Sequence, residues 1–393
     1  LVEANNHRVV ISRRGAERLK HAPVWVYRSD IVSAENVGPG ALVSVADERG
    51  KFLGTALYST SSQIAIRMVS SEAVADLPAL LRQRIEAAIA YREGVVEDTD
   101  AYRVIFSEAD FLPGLIVDRY NDLLSFQVLT QAMDAELLRQ TFMSELKERL
   151  KPAAIIERVD PRILELEQIS RRASDAPSEG QKSSTLFTMN GIRFHYDSVG
   201  GQKTGAFLDQ RENYAAAARY SRGEALDVFC YQGGFALHLA PKCSKVTGVD
   251  SSRPALEVAN RNATLNKREI EWMEANAFDL LRDYSNAGRQ FDTIVLDPPA
   301  FAKSKRTLDT ALRGYKELNL RAIKMLRPGG ILVTCSCSFH VNDANFREVV
   351  ASAARDAGKS LRVIESRGQS KDHPILLTVP ETAYLKCVVC VSN

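Results

Sequence analysis

No stretch of the chain approaches the roughly 18 consecutive apolar residues that a membrane-crossing helix needs. The opening residues, Leu1-Val2-Glu3-Ala4-Asn5-Asn6, contain no apolar signal core, so a cytoplasmic location is the expectation. Cysteine is scarce: six in 393 residues, none before Cys230, which argues against the dense disulfide framework of a small secreted domain. The Gly-x-Gly-x-x-Gly fingerprint of dinucleotide binding is missing. So is any excess of one charge, with 51 Lys and Arg against 49 Asp and Glu. A polyanion partner would therefore have to be met by a local basic surface rather than by global attraction. What remains is ordinary for a globular protein: 45% hydrophobic, 25% charged, and long enough for two or three domains.

The pattern divides the chain into three regions. Residues 1–70 carry short β-runs at 24–27, 41–45 and 63–68, with a turn at Gly38-Pro39-Gly40, which suggests a small barrel. Residues 71–185 read as α+β: a helix over 77–92, a hairpin of 115–120 and 123–128 across Asn121-Asp122, a helix over 133–150, a strand at 153–157, and a polar loop from 170 to 184. Residues 186–393 alternate apolar strands (225–229, 245–250, 292–297, 331–335) with helical stretches at 253–265 and 312–326. Such alternation makes parallel β-α-β units in an α/β fold, whose ligands lie at the carboxyl ends of the strands. Cys387 and Cys390 lie three apart on a strand-like run and so point to opposite faces; no metal site is expected.

The segment Asp227-Val228-Phe229-Cys230-Tyr231-Gln232-Gly233-Gly234 joins a strand, a glycine turn and a helix start. Gly233 and Gly234 lack Cβ, so backbone can approach a ligand there. Asp250 ends the next strand, where an acid can accept hydrogen bonds from ribose hydroxyls. Asn276-Ala277-Phe278 follows a third strand and offers a small polar and an apolar boundary for an adenine. This order of parts resembles class I S-adenosylmethionine methyltransferases over residues 225–337. The resemblance implies S-adenosyl-L-methionine as cofactor, with Gly233 and Gly234 at its methionine end, Asp250 at its ribose, and Asn276 and Ala277 at its adenine; Asp227, Tyr231, Ser251 and Asp297 are further candidate cofactor contacts. Many members carry Asp in place of Asn276; the amide oxygen could still meet the adenine amino group.

Asp297-Pro298-Pro299-Ala300-Phe301 follows a strand and stands where a methyl group would emerge. The prolines stiffen the loop and remove donors, so Asp297 can face a base edge and Phe301 can stack on a base; a rigid structural turn is the plainer alternative. Thr334-Cys335-Ser336-Cys337-Ser338 follows the next strand. Pyrimidine carbon 5 is too weak a nucleophile to attack a sulfonium methyl unaided. A thiolate adding at carbon 6 activates it, and cysteine suits that role. Cys337, farther into the loop, is preferred to Cys335, although both would share a face if the strand ran through them. Small buried residues are the plain alternative.

Gly201-Gln202-Lys203-Thr204-Gly205-Ala206-Phe207-Leu208-Asp209-Gln210-Arg211-Glu212-Asn213 resembles a signature of bacterial 23S rRNA methyltransferases that make 5-methylcytosine. So do residues 23–27 and 62–67 (a PUA domain in that family), 112–120, 372–374 and 380–386. The resemblance implies a Rossmann-like methyltransferase domain at 186–393 behind a PUA-like RNA-binding domain at 1–70 and a central α+β domain at 71–185. It brings Lys203, Thr204, Phe207, Asp209 and Arg211 toward the cofactor. It also implies large-subunit rRNA as partner, Arg13, Arg14, Arg28 and Arg67 as candidate phosphate contacts, Pro298, Pro299 and Phe301 at the base, and a homodimer. The second cysteine of many RNA cytosine methyltransferases is replaced here by Ala300-Phe301, so another base, such as water, would assist release. A related guanine-N7 family shares Gly-Gln-Lys-Thr-Gly and Asp-Pro-Pro, and a noncatalytic RNA-binding protein with a degenerate domain is a further alternative.

Overall fold

A computed structural model describes residues 7–22, 24–170, 182–198, 206–302 and 305–393. It falls into two compact units. One comprises Leu1–Thr185, Tyr196–Gly205 and Asp372–Thr382; the other comprises Leu186–His195, Ala206–Lys371 and Ala383–Asn393. Among the described residues no helix is long and apolar enough to cross a membrane.

The first unit holds two sheets. The six-stranded one runs, in spatial order, Trp25–Tyr27, Ile64–Ser70, Phe52–Tyr58, Leu42–Asp47, Arg8–Ile11 and Ile31–Ser33. Alternation along Arg8–Ile11 and the start of Leu42–Asp47 buries Val9, Ile11, Val43 and Val45, and Ala65 and Ile66 join the same cluster. A helix that periodicity did not suggest, Arg13–His21, interrupts it. It is short and mostly charged, buries only Gly15 and Leu19, and is started by Ser12, whose side chain accepts from Gly15 N.

The four-stranded sheet runs Ala154–Glu157, Leu123–Val128, Leu115–Tyr120, Ala101–Phe106. Its hairpin closes with Tyr120 opposite Leu123, and Asn121 takes φ +52°, the left-handed geometry a two-residue hairpin turn requires. The helices Leu77–Val95 and Glu136–Leu150 cover it through Leu81, Ile85, Phe142 and Leu146. The single helix expected over 133–150 is in fact two. Thr130 caps a short turn, Gln131–Asp134, and Ala135 at ψ 134° breaks the backbone before the longer helix begins.

The second unit is built on seven strands: β1 Glu224–Val228, β2 Lys245–Asp250, β3 Glu271–Glu274, β4 Phe291–Leu296, β5 Leu326–Ser336, β6 Leu361–Arg367 and β7 Lys386–Ser392. Their spatial order is β3-β2-β1-β4-β5-β7-β6. β1 to β5 are parallel, while β7 runs antiparallel to both β5 and β6. The order reverses between β1 and β4, and such switch points open a crevice at the carboxyl ends of the strands. Helices Leu308–Lys324 and Asp343–Asp356 pack Tyr315, Leu318, Ile323, Phe346 and Val350 on Leu226, Ile294 and Leu332. β5 is longer than the sequence pattern suggests and stops at Ser336. Cys335 is therefore within the strand and Cys337 beyond it, so the two do not share a strand face.

Among the described residues, Arg92 is the largest fully buried side chain, 1% exposed. It donates to Asp110 Oδ1 at 2.5 Å, Arg103 O at 2.9 Å and Asp372 O at 2.8 Å. Arg92→Ala leaves the Asp110 carboxylate without its partner, which costs about 3–5 kcal/mol for a buried pair. The expected result is a lowered urea midpoint in circular dichroism, and an unchanged midpoint would contradict it.

Candidate active site

The turn after β1 is built from left-handed backbone. Phe229, Tyr231 and Gly233 have φ of +68°, +49° and +85°, and Gly233 is the N-cap of the helix Gly234–Leu239. A Cβ on Gly233 would lie 2.8 Å from the Trp272 ring, and one on Gly234 would lie 2.5 Å from the Tyr214 ring. Both positions therefore require glycine, and the loop backbone is open to a ligand. Asp227 is fully buried beneath this loop; Oδ2 accepts from Ala236 N at 2.8 Å, and Oδ1 has no partner among the described residues. Burial pushes its carboxyl up to about 7, opposed by the Ala236 N–H and reinforced by Asp250. An orphaned buried acceptor under a glycine cradle fits a ligand that carries an ammonium group, as the methionine end of S-adenosylmethionine does.

Asp250, at the end of β2, is half-buried; Oδ2 accepts from Tyr231 N and Oδ1 from Ser252 N, each at 2.9 Å. The loop after β1 is thus tied to the end of β2 through the carboxylate read as the ribose acceptor. Ser251 beside it is exposed and Ala277 is buried in the core. Asn276 differs from expectation. Its Oδ1 caps the helix Ala277–Asn286, accepting from Phe278 N at 2.9 Å and Asp279 N at 3.3 Å. Helix capping takes the oxygen intended for an adenine amino group, so the side-chain NH2 is the end left to meet an acceptor.

The loops after β4 and β5 meet. Cys337 Sγ is 3.9 Å from Pro298 O. Ser336 and Ser338, on either side of Cys337, are buried and bonded to Tyr315 Oη at 3.0 and 2.9 Å, and Ser338 Oγ also accepts from Ala302 N at 3.2 Å. The residues flanking the thiol are fixed while Cys337 itself is half-buried. Cys335 is 0% exposed and sits opposite Cys387 on β7. Burial raises its thiol well above the ordinary range, the opposite of what a nucleophile needs. Asp297 is half-buried, with Oδ1 accepting from Gln210 Nε2 at 2.9 Å; Pro298 is buried and Pro299 exposed. Phe301 leans on Tyr315 at 4.8 Å and on Phe278 at 5.9 Å between ring centroids, so much of its surface already packs against protein.

Two residues here escaped the sequence reading. Lys386, the first of β7, is 7% exposed and donates to Ser338 O at 2.8 Å and Tyr384 O at 2.9 Å. Burial lowers its pKa to about 8, and the acidic groups acting against that shift are Cys337 and Asp343. A cation kept near a thiol favours the thiolate. Gln210 is the other, visible beforehand only as one letter of a longer motif.

The remaining candidates divide. Lys203 and Thr204 lie outside the described residues. Phe207 is 37% exposed and meets Tyr231 edge-on at 5.1 Å. Asp209 accepts from Tyr384 Oη at 2.6 Å, and Arg211 is buried with a guanidinium nitrogen 3.6 Å from Glu212. These two brace the segment. In the first unit, Arg13 is exposed, and Arg14 is 61% exposed despite its pair with Asp30 at 2.6 Å. Arg28 and Arg67, the other two candidates for phosphate contact, are engaged within the fold. Arg28 donates to Ser59 O and Ser62 O, and Arg67, 12% exposed, donates to Ile64 O and stands 3.5 Å from both Glu108 and Glu167. Both guanidinium groups hold the fold together.

If the glycine turn is the cofactor cradle, Gly233→Ala must move Trp272 and strain a left-handed residue. A loss of about tenfold in S-adenosylmethionine affinity, near 1.4 kcal/mol, is expected by titration calorimetry. Undiminished affinity would place the ligand elsewhere.

Residues 9–71 match the model of a PUA-like domain, and residues 131–389 match the S-adenosylmethionine-dependent methyltransferase model. The chain is 39% identical over 360 residues to ribosomal RNA large subunit methyltransferase I of Tolumonas auensis, covering 89% of this chain and 90% of that protein. To the protein of that name from Vibrio cholerae it is 37% identical over 392 residues, covering 97% and 98%. A methyltransferase crystallised with SAH shares the fold at a TM-score of 0.81 and 17% identity, over 98% of this chain and all of that one. With its glycine turn, strand-end acid and β3-β2-β1-β4-β5-β7-β6 sheet, the chain is an S-adenosylmethionine-dependent methyltransferase and belongs to the ribosomal RNA large subunit methyltransferase I family.

Proposed function

We propose that this protein methylates carbon 5 of a cytosine in 23S rRNA, with Cys337 as the nucleophile. The observation that carries the reading is the meeting of two loops: the half-buried Cys337 thiol stands 3.9 Å from the Pro298 carbonyl, beside Asp297. The names of the relatives support large-subunit rRNA as the substrate. A target base has to leave its stack to reach such a site, and the region up to residue 70 is the part that would hold the surrounding RNA by shape and backbone.

When bound, S-adenosylmethionine supplies an electrophilic methyl group on a sulfonium sulfur. The Cys337 thiolate attacks carbon 6 of the ring, and the electron pair of the 5,6 double bond moves to carbon 5. Carbon 5 takes the methyl group, and the sulfonium electron pair stays on the departing thioether sulfur. Loss of the carbon 5 proton to water then restores the double bond and expels the Cys337 thiolate. Asp297 holds the edge of the base, and Lys386 provides the nearby cation that favours the thiolate.

Cys337→Ala is expected to abolish 5-methylcytosine in rRNA, measured by nucleoside mass spectrometry after incubation with S-adenosylmethionine. Calorimetric affinity for the cofactor should be unchanged. Full activity in this variant would refute the covalent route, and 7-methylguanine as the product would establish the guanine-N7 alternative, which needs no thiol.

A further inference from the structure

Four polar groups lead inward to the Asp297 carboxylate. Arg367, at the end of β6, donates through Nε to Asn213 Oδ1 at 3.0 Å. Asn213 Nδ2 donates to Gly368 O at 3.0 Å and to Gln210 Oε1 at 2.6 Å. Gln210 Nε2 then donates to Asp297 Oδ1 at 2.9 Å. Asn213 and Gln210 are 1% and 3% exposed, so water cannot readily substitute for either link.

The direction of every bond in this chain is forced. A guanidinium can only donate and a peptide carbonyl can only accept. Arg367 therefore fixes the oxygen end of Asn213, and Gly368 O independently fixes its nitrogen end. With the Asn213 NH2 pointing at Gln210, Gln210 must turn its oxygen toward Asn213 and its NH2 toward Asp297. A carboxylate that receives a fixed donor is stabilised in its charged form.

We propose that Gln210, oriented by Asn213 and Arg367, is a positioning residue that keeps Asp297 an ionised acceptor, so that the site selects a base edge bringing an N–H donor, as the cytosine amino group does. The inference rests on the reading of Asp297 as the group that meets the base. It does not require Cys337 to be the nucleophile.

Two substitutions test it. Gln210→Glu places a carboxylate against Asp297; the pair then retains a shared proton to higher pH. Asn213→Asp can still accept from Arg367 but no longer donates to Gln210. Gln210 should then reverse and present its carbonyl to Asp297, again favouring the protonated acid. Neither change alters Asp297 itself. The measurement is the pH dependence of kcat/KM for total methyl transfer from labelled S-adenosylmethionine into rRNA, alongside calorimetric cofactor affinity and circular dichroism. In both variants the acid limb is expected to move up by about one pH unit or more, with the rate recovering at high pH and cofactor affinity unchanged. A loss by the same factor at every pH, or an unmoved limb, overturns the proposal. So does a shift in Q210E without one in N213D, since the polarity would then not be relayed. If Q210E does not fold, N213D alone decides. The methylated nucleoside is identified separately, so a product other than 5-methylcytosine refutes the reading of the substrate while the position of the limb still reports on Gln210.

Discussion

The parallel run of β1 to β5 is the constraint on which the site depends. Parallel strands deliver every strand-to-helix loop to the same edge of the sheet. The Gly233-Gly234 turn, Asp250, Asn276, Asp297 and Cys337 come from separate loops spread over more than a hundred residues, and this topology alone puts them side by side. The reversal of order between β1 and β4 opens the space between them. β7 supplies the antiparallel neighbour of β5 and carries Cys387 and Lys386 to the end of the strand preceding Cys337.

Around that edge, rigidity comes from small, fully satisfied polar clusters rather than from apolar packing alone. Tyr315 Oη joins Ser336 to Ser338 and thereby holds the ends of the Cys337 loop, while Ser338 Oγ reaches across to Ala302 on the loop after β4. Asp250 ties the loop after β1 to the end of β2 through Tyr231 N. Such bonds position the groups they join tightly, because each unmade bond would leave a buried polar atom unsatisfied. Asp227 Oδ1, among the described residues, is one buried atom left without a partner, and it lies beneath the cradle where a ligand is expected.

The first unit follows a different logic. Its basic residues divide between those that face water and those turned into the fold. Arg13 and Arg14 are on the outward side of the helix Arg13–His21, whereas Arg28 and Arg67 satisfy carbonyls and carboxylates between strands. Arginine serves both ends equally well because its planar fork satisfies several acceptors at once. Charge counted along the chain could not separate the two groups.

What the sequence determined by itself was whatever depends on local pattern. Alternating apolar strands and amphipathic helices specified the α/β unit. Asn121-Asp122 specified the hairpin, and Gly233-Gly234, Asp250, Asp297-Pro298 and Cys335-Ser336-Cys337 marked the strand ends. Local pattern misled where a short polar segment folded, as at Arg13–His21, and where one backbone angle, at Ala135, divided a helix. Only the tertiary structure decided which groups remain available for chemistry. Cys335 is buried against Cys387 while Cys337 lies past the strand end; the Asn276 oxygen caps a helix; Gln210 is linked through Asn213 to Arg367, more than 150 residues away. Hydrogen bonds and burial are properties of neighbours in space, and those neighbours exist only once the sheet has closed.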